Sequence, residues 1–184
     1  MPAKARPGAD MTRYPVAEVG CRALRGVLGR YPTGVTVVTA IRDDGSPAGL
    51  TVNSFTSLSL DPPLVLWCLR RESASREVFG TAVYFAVNVL GWSQGEIARR
   101  FSASSGNRFD GVRWRPGPHG LPLLEGAIAQ LICRQNGTFP GGDHLIVTGE
   151  TEACWATAGP ALLFQDGKYG FTRPGPLAQC GRGR

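Results

Sequence analysis

The segment Gly49-Leu50-Thr51-Val52-Asn53-Ser54-Phe55-Thr56-Ser57-Leu58-Ser59-Leu60-Asp61-Pro62-Pro63 sets small polar side chains among apolar ones. It begins as a strand, where Thr51 and Asn53 share one face and Val52 and Ser54 the other. Hydroxyls and amides in fixed directions beside an apolar wall suit a flat polar heterocycle. Such a ligand needs hydrogen bonds around its rim and hydrophobic contact on its face. Taken alone, the segment is a strand end with a Ser/Thr-rich turn.

Other chemistry-bearing patterns are few. Gly91-Trp92-Ser93-Gln94-Gly95 fits GxSxG between a predicted strand and a predicted helix, the context of a nucleophile elbow. Asp110 or Asp143, and then His144, follow in the right chain order. Against a hydrolase, the strands read as antiparallel hairpins, no HGGG-type segment occurs, and Ser93 has a role as a helix cap. His119 and His144 are the only histidines, with no HExxH and no Cys/His cluster, so no metal is expected. His119, in Pro-Gly-Pro-His-Gly, reads as solvated. GxGxxG and the Walker lysine loop are both lacking. A chain without nucleophile or metal borrows its chemistry from a cofactor.

The elements that must position these residues are mostly strands. Residues 16–31 carry apolar side chains at helical spacing and stop at Pro32. Val35 to Arg42 is a buried strand, Asp43-Asp44-Gly45-Ser46 a hairpin turn, and Ala48 to Asn53 the returning strand. Leu64–Leu69 and Tyr84–Leu90 are further strands, with a short helix from Ser73 to Phe79 between them. Ser93 and Glu96 form a capping box for a helix over 94–101. Residues 102–120 read as a loop over a site. Strands at 124–134, 145–155 and 161–165 complete a mainly β chain. Its fold class is a closed or partly closed β-barrel with flanking helices.

The 184 residues make one domain. Of the formal charge of +6, Lys4, Arg6 and Arg13 against Asp10 supply +2, and Arg173, Arg182 and Arg184 supply +3. Residues 14–172 therefore carry only +1, which argues against a nucleic-acid stripe. The ends, 1–13 and 173–184, read as flexible tails. Five cysteines at wide spacing, without CxxC, point to a reducing, cytoplasmic setting. No signal segment and no membrane span is expected. Trp67, Trp92, Trp114 and Trp155 are core or interface.

Several blocks, in order from Ala17 to Thr172, resemble the flavin reductase family, the small partners of two-component flavin-dependent monooxygenases. They are Arg30-Tyr31-Pro32-Thr33-Gly34-Val35-Thr36-Val37-Val38-Thr39, the Gly49–Pro63 segment, and Phe85-Ala86-Val87-Asn88-Val89-Leu90 with Gln94 and Phe101. Gly142-Asp143-His144, Leu163-Phe164 and Gly167-Lys168-Tyr169-Gly170 follow. Two departures stand out: Cys21 precedes Arg22 where the family often has an aromatic residue, and the Ser102–Gly120 loop is only loosely similar.

The resemblance implies an FMN-binding split barrel that pairs as a homodimer. It implies hydride transfer from NADH, with NADPH less favoured, to FAD or FMN, and delivery of reduced flavin to a separate monooxygenase. Thr51, Val52, Asn53 and Ser54 would hold the isoalloxazine rim, largely through backbone amides, and Ser57 and Leu58 would continue that contact. Thr33 falls in the first matching block and is carried over with it. Ser73 and Ser75 would meet the flavin phosphate, with Arg70 and Arg71 near, although both serines suit plain helix caps. Asn88 and Phe101 would line the flavin tail, and Tyr169 would close the pocket. His144 would face the nicotinamide as the catalytic candidate, with Asp143 orienting it. A split-barrel enzyme that keeps its flavin and a non-catalytic flavin module remain open alternatives.

Overall fold

The computed structural model describes residues 15–171. The tails expected at 1–13 and 173–184, and Cys180, lie outside these residues. In chain order the elements are α1 (Val16–Leu28), β1 (Thr33–Gly34), β2 (Thr36–Ile41), β3 (Pro47–Val52), β4 (Thr56–Leu60) and β5 (Pro63–Arg70). Then come α2 (Arg76–Thr81), β6 (Tyr84–Val89), α3 (Gly95–Ser102), β7 (Trp114–Pro116) and β8 (Pro122–Leu124). β9 (Ala129–Gly141), β10 (His144–Ala156), β11 (Leu163–Gln165) and β12 (Lys168–Gly170) close the chain.

Seven strands form one antiparallel sheet in the order β3-β2-β6-β9-β10-β5-β4. β3 and β4 lie at its opposite edges, yet only Asn53, Ser54 and Phe55 join them. Three linking residues reach roughly 10–14 Å. A flat seven-stranded sheet would hold its edge strands roughly 29 Å apart. The sheet must therefore curl until its edges meet, as in a barrel. Ser54 pins the seam, its hydroxyl accepting the Cys68 amide of β5 at 2.9 Å.

Curling places one face inside. Val38, Ala40, Trp67, Leu69, Phe85, Val87 and Val147 share a buried cluster with Phe79 of α2. Trp67 meets Phe79 and Phe85 edge-on, at ring-centre distances of 5.5 and 5.9 Å. The alternate residues Val35 and Val37 face outward, under α3, with Ala98, Phe101 and Leu124. Two buried faces explain why β2 is rich in β-branched residues with no polar alternation.

The hairpin turn forms as expected. Gly45 adopts φ 79°, and Asp44 Oδ1 accepts the Ser46 amide at 2.8 Å. Other expectations need correction. Thr56–Leu60 is not a turn but the edge strand β4, paired with β5. The capping box at Ser93 does not form. Gln94 Oε1 instead accepts the Gly91 amide at 2.9 Å, and its Nε2 donates to the Glu125 carbonyl at 2.8 Å. The strand expected at 124–134 is two strands, because Gly126, at φ 81°, turns the chain between β8 and β9. His119 is not merely solvated. Its ring stacks on Tyr84 at 3.6 Å, and Nε2 lies 3.2 Å from Glu152 Oε2. Of the tryptophans, Trp67 is core, while Trp92 and Trp155 are exposed.

Candidate functional site

At the seam of the sheet lies an open cleft of about 510 Å³. Leu50 to Ser54 form one wall, Cys68, Arg70 and His144 another, and Ser102 to Ser104 with Arg108 a third. Ser73 closes one end. Strand pairing sets these positions. His144 opens β10 directly opposite Arg70, the last residue of β5. Thr51 donates its hydroxyl to the Ala98 carbonyl at 2.6 Å, which ties β3 to α3. The seam thus brings a strand edge, a strand start and a helix end to one place.

β3 is an edge strand, so alternate backbone groups face away from β2. The Gly49 carbonyl is one of these, since it accepts Arg108 Nη1 at 2.7 Å. By the same parity the amide and carbonyl of Thr51 point outward along the cleft side. Val52 turns back, and its carbonyl accepts the Thr36 hydroxyl at 3.0 Å.

His144 is half-exposed, and its Nδ1 lies 2.7 Å from Asp143 Oδ1. An ionised carboxylate only accepts, so Nδ1 carries the proton and donates to it. The hydrogen bond and then the charge of His144 hold the Asp143 carboxyl below its usual range. In the neutral ring Nε2 is left as an acceptor, with no protein partner among the described residues. The turn before His144 is held from outside, with Arg71 Nε donating to the Gly142 carbonyl at 2.9 Å. Gly142 takes φ 68° there.

The expected site residues divide. Thr51, Val52, Asn53, Ser54, Ser73 and His144 line the cleft together. Ser75 sits just behind it, buried, with its hydroxyl accepting Arg108 Nη1 at 3.2 Å. It makes no side-chain cap for α2, a helix of only six residues. Ser57 and Leu58 lie on β4, exposed and outside the cleft lining. Thr33 lies on β1 opposite Phe164, and its hydroxyl is buried with no partner among the described residues.

Three further expected residues lie outside the cleft lining. Asn88 is fully buried and spends its amide inside the protein. Its Oδ1 accepts the Leu124 amide at 2.9 Å and Gln130 Nε2 at 3.0 Å, and its Nδ2 donates to the Val37 carbonyl at 3.2 Å. Phe101 is a buried ring, edge-on to Phe109 at 4.9 Å. Tyr169 packs on Phe164, with the Arg99 guanidinium 5.4 Å above its ring. None of the three lines the cleft. Ser93 is absent from the cleft lining that includes His144, and the sheet is antiparallel, so no nucleophile elbow forms.

Arg108 is the residue that sequence reasoning missed. It stands in a Ser/Gly/Asn-rich loop with no periodicity to mark it. With Arg70 it makes the cleft cation-rich against the single acid Glu72. The donor set is outward backbone groups of an edge strand, serine hydroxyls, two guanidiniums and an apolar strip at Leu50 and Val52. That set fits a flat heterocycle with an anionic tail. Among the described residues no cluster of metal ligands occurs, and no helix is long and apolar enough to cross a membrane.

Comparison with known proteins agrees with this chemistry. The profile of the flavin reductase like domain matches residues 28–173. The FMN reductase (NADH) SmoA of Agrobacterium fabrum is 41% identical over 153 residues, 83% of this chain and 87% of that protein. The reductase subunit HsaB of a flavin-dependent monooxygenase, from Mycobacterium tuberculosis, is 38% identical over 161 residues, 86% of each chain. Among solved structures, the NADH:FAD oxidoreductase SgcE6 of Streptomyces globisporus C-1027, in complex with NAD and FAD fragments, superposes with a TM-score of 0.77. It is 41% identical, over 84% of this chain and 93% of that one. The curled sheet is the split barrel of these neighbours, and the chain belongs to the flavin reductase family.

Proposed function

We propose that the protein is an NADH-dependent flavin reductase that reduces FAD or FMN and releases it to a separate monooxygenase. The observation that carries this reading is the cleft itself. It combines an outward-facing strand edge, two guanidiniums and a half-exposed histidine, inside a chain of this family. When bound, the nicotinamide supplies a hydride from C4 and the flavin accepts it at N5.

The protein's own contribution is placement. The outward backbone groups at Thr51, with the hydroxyls of Ser54 and Ser73, hold the ring rim. Arg70 and Arg108 attract the anionic tail. His144, fixed by Asp143, offers Nε2 as an acceptor to a nicotinamide carboxamide. No side chain has to move a proton in this step. Donors aimed at the ring rim stabilise negative charge on the reduced ring. The loop from Ala103 to Arg108 covers one side of the cleft against water.

Pairing as a homodimer and a cytoplasmic location belong to the same reading. Leu58 and Leu60 of the edge strand β4 are exposed, Leu60 by 91%, and an apolar strand edge favours pairing with another chain. The four described cysteines are free thiols, the state that a reducing compartment maintains.

The test is to purify the protein, remove small molecules by gel filtration, and follow NADH absorbance with and without added FMN or FAD. Consumption that depends on added flavin, and saturates in it, supports the reading. Consumption without added flavin, or flavin binding without NADH consumption, overturns it.

A further inference from the structure

Arg70 and Arg71 stand together where β5 ends, and they serve different neighbours. Arg70 lines the cleft, and Arg71 does not. Arg71 lines the open groove between α2 and the β9–β10 hairpin.

That hairpin turns through only Gly142 and Asp143, since Gly141 pairs directly with His144. Gly142 takes φ 68°, and Asp143 keeps a negative φ. Those signs are the pattern of a type II′ turn. The Gly142 carbonyl belongs to the central peptide of the turn and finds no donor within the hairpin. Arg71 Nε donates to it at 2.9 Å. The Arg71 amide donates to the Asp143 carbonyl at 3.0 Å. One residue thus holds both carbonyls of the turn. The rival for a two-residue loop is type I′, open here because aspartate enters the left-handed region more readily than most residues. Exchange between the two rotates the central peptide and breaks the bond to Arg71 Nε. The Arg71 side chain therefore selects one turn.

That selection bears on His144. Asp143 Oδ1 lies 2.7 Å from His144 Nδ1, yet the Asp143 side chain is 86% exposed. Packing does not fix such a carboxylate, and a surface pair is weak unless its geometry is held. The groups that lower the Asp143 carboxyl are His144 first and Arg70 last, and Arg71 is not among them. What Arg71 supplies is a donor to the backbone rather than a charge. We propose that Arg71 is a positioning residue for His144: its Nε–H fixes the Gly142–Asp143 turn, so that Asp143 keeps the His144 proton on Nδ1 and Nε2 stays free to accept. This rests on the reading of His144 as the nicotinamide contact.

The test compares wild type, Arg71→Met and Arg71→Gln. Methionine keeps the stem and loses the donor. Glutamine carries an amide nitrogen as many bonds from the backbone as Nε, so it keeps the donor and loses the charge. Arg71 is exposed, so neither change enters the core. Nitrogen NMR of ring-labelled protein reads the His144 tautomer without any ligand, and His119, the only other histidine, is the internal control. The KM for NADH, kcat and the Kd for FMN are measured beside it. In Arg71→Met the Nδ1–H form of His144 is expected to give way to a mixture of tautomers. The KM for NADH is expected to rise about threefold, with kcat and the Kd for FMN within about twofold. Arg71→Gln is expected to restore both the tautomer and the KM. The proposal is overturned if Arg71→Met leaves the tautomer unchanged, or if Arg71→Gln behaves as Arg71→Met, which assigns the effect to charge. Weakening of FMN as large as that of NADH also overturns it. A changed tautomer with an unmoved KM for NADH refutes the nicotinamide reading of His144 instead.

Discussion

Asp143 and His144 are adjacent in the chain and bonded through their side chains. The aspartate's depressed titration fixes the sign of its pH dependence. A carboxyl held below its unfolded value, about 3.9, supports the pair fully above that value. The support is lost as pH falls through the lower, folded value. In carbon NMR, Asp143 is expected to titrate below free aspartate, and His144→Ala is expected to move it back up. The same substitution is expected to raise the KM for NADH about fivefold, the worth of one hydrogen bond. Asn88 behaves oppositely. Asn88→Ala leaves buried donors and acceptors unmatched and is expected to cost about 2–4 kcal/mol. Urea denaturation checks the loss, while flavin affinity of the folded protein stays within about twofold. Sequence pattern placed Asn88 in the right strand, and the resemblance gave it a flavin tail to line where the structure gives it protein partners. Nothing in a run of apolar neighbours distinguishes an asparagine that binds a ligand from one that bonds to Leu124 and Gln130 inside.

The elements around the cleft hold one another by close approach. β3 and α3 meet at Gly49, where an added Cβ would stand 2.6 Å from the Phe101 ring. That ring is buried and packed edge-on against Phe109. Gly49→Ala is therefore expected to destabilise the protein by about 1–3 kcal/mol. It is also expected to raise the flavin KM, because α3 and the Arg108 loop must shift. Chemical denaturation and steady-state kinetics measure the two effects. The β2–β3 hairpin was legible in the sequence, since Asp-Gly dictates its own turn. β4 was not, because Thr-Ser-Leu-Ser-Leu puts its leucines on the exposed edge rather than in a core. The capping box misled for a different reason. Gln94 is long enough to bond Gly91 and Glu125, and a contact across 31 residues leaves no local signal.

Across the whole molecule, function follows from how the sheet closes. The three-residue link between edge strands forces the curl, and the curl brings His144 beside Thr51. Neighbouring strands joined by tight turns made the barrel legible, but its closure depended on strand order, which such turns do not encode. A ligand seated across this seam ties together strands that are far apart in the chain. FMN at a hundred times its Kd is expected to add about 2.7 kcal/mol of stability and to raise the melting temperature by about 5–10 °C. Thermal melts with and without FMN check this.

The central claim is that flavin is reduced in the cleft at the end of β3. Asn53 lines that cleft and is exposed, so Asn53→Trp fills the space without entering the core. The most direct measurement is NADH consumption against flavin concentration for the wild type and this variant, with circular dichroism confirming the fold. Saturable, flavin-dependent consumption by the wild type, and a flavin KM raised about tenfold or more in the variant, is the expected result. A folded variant with an unchanged flavin KM would place the reaction elsewhere and contradict the claim.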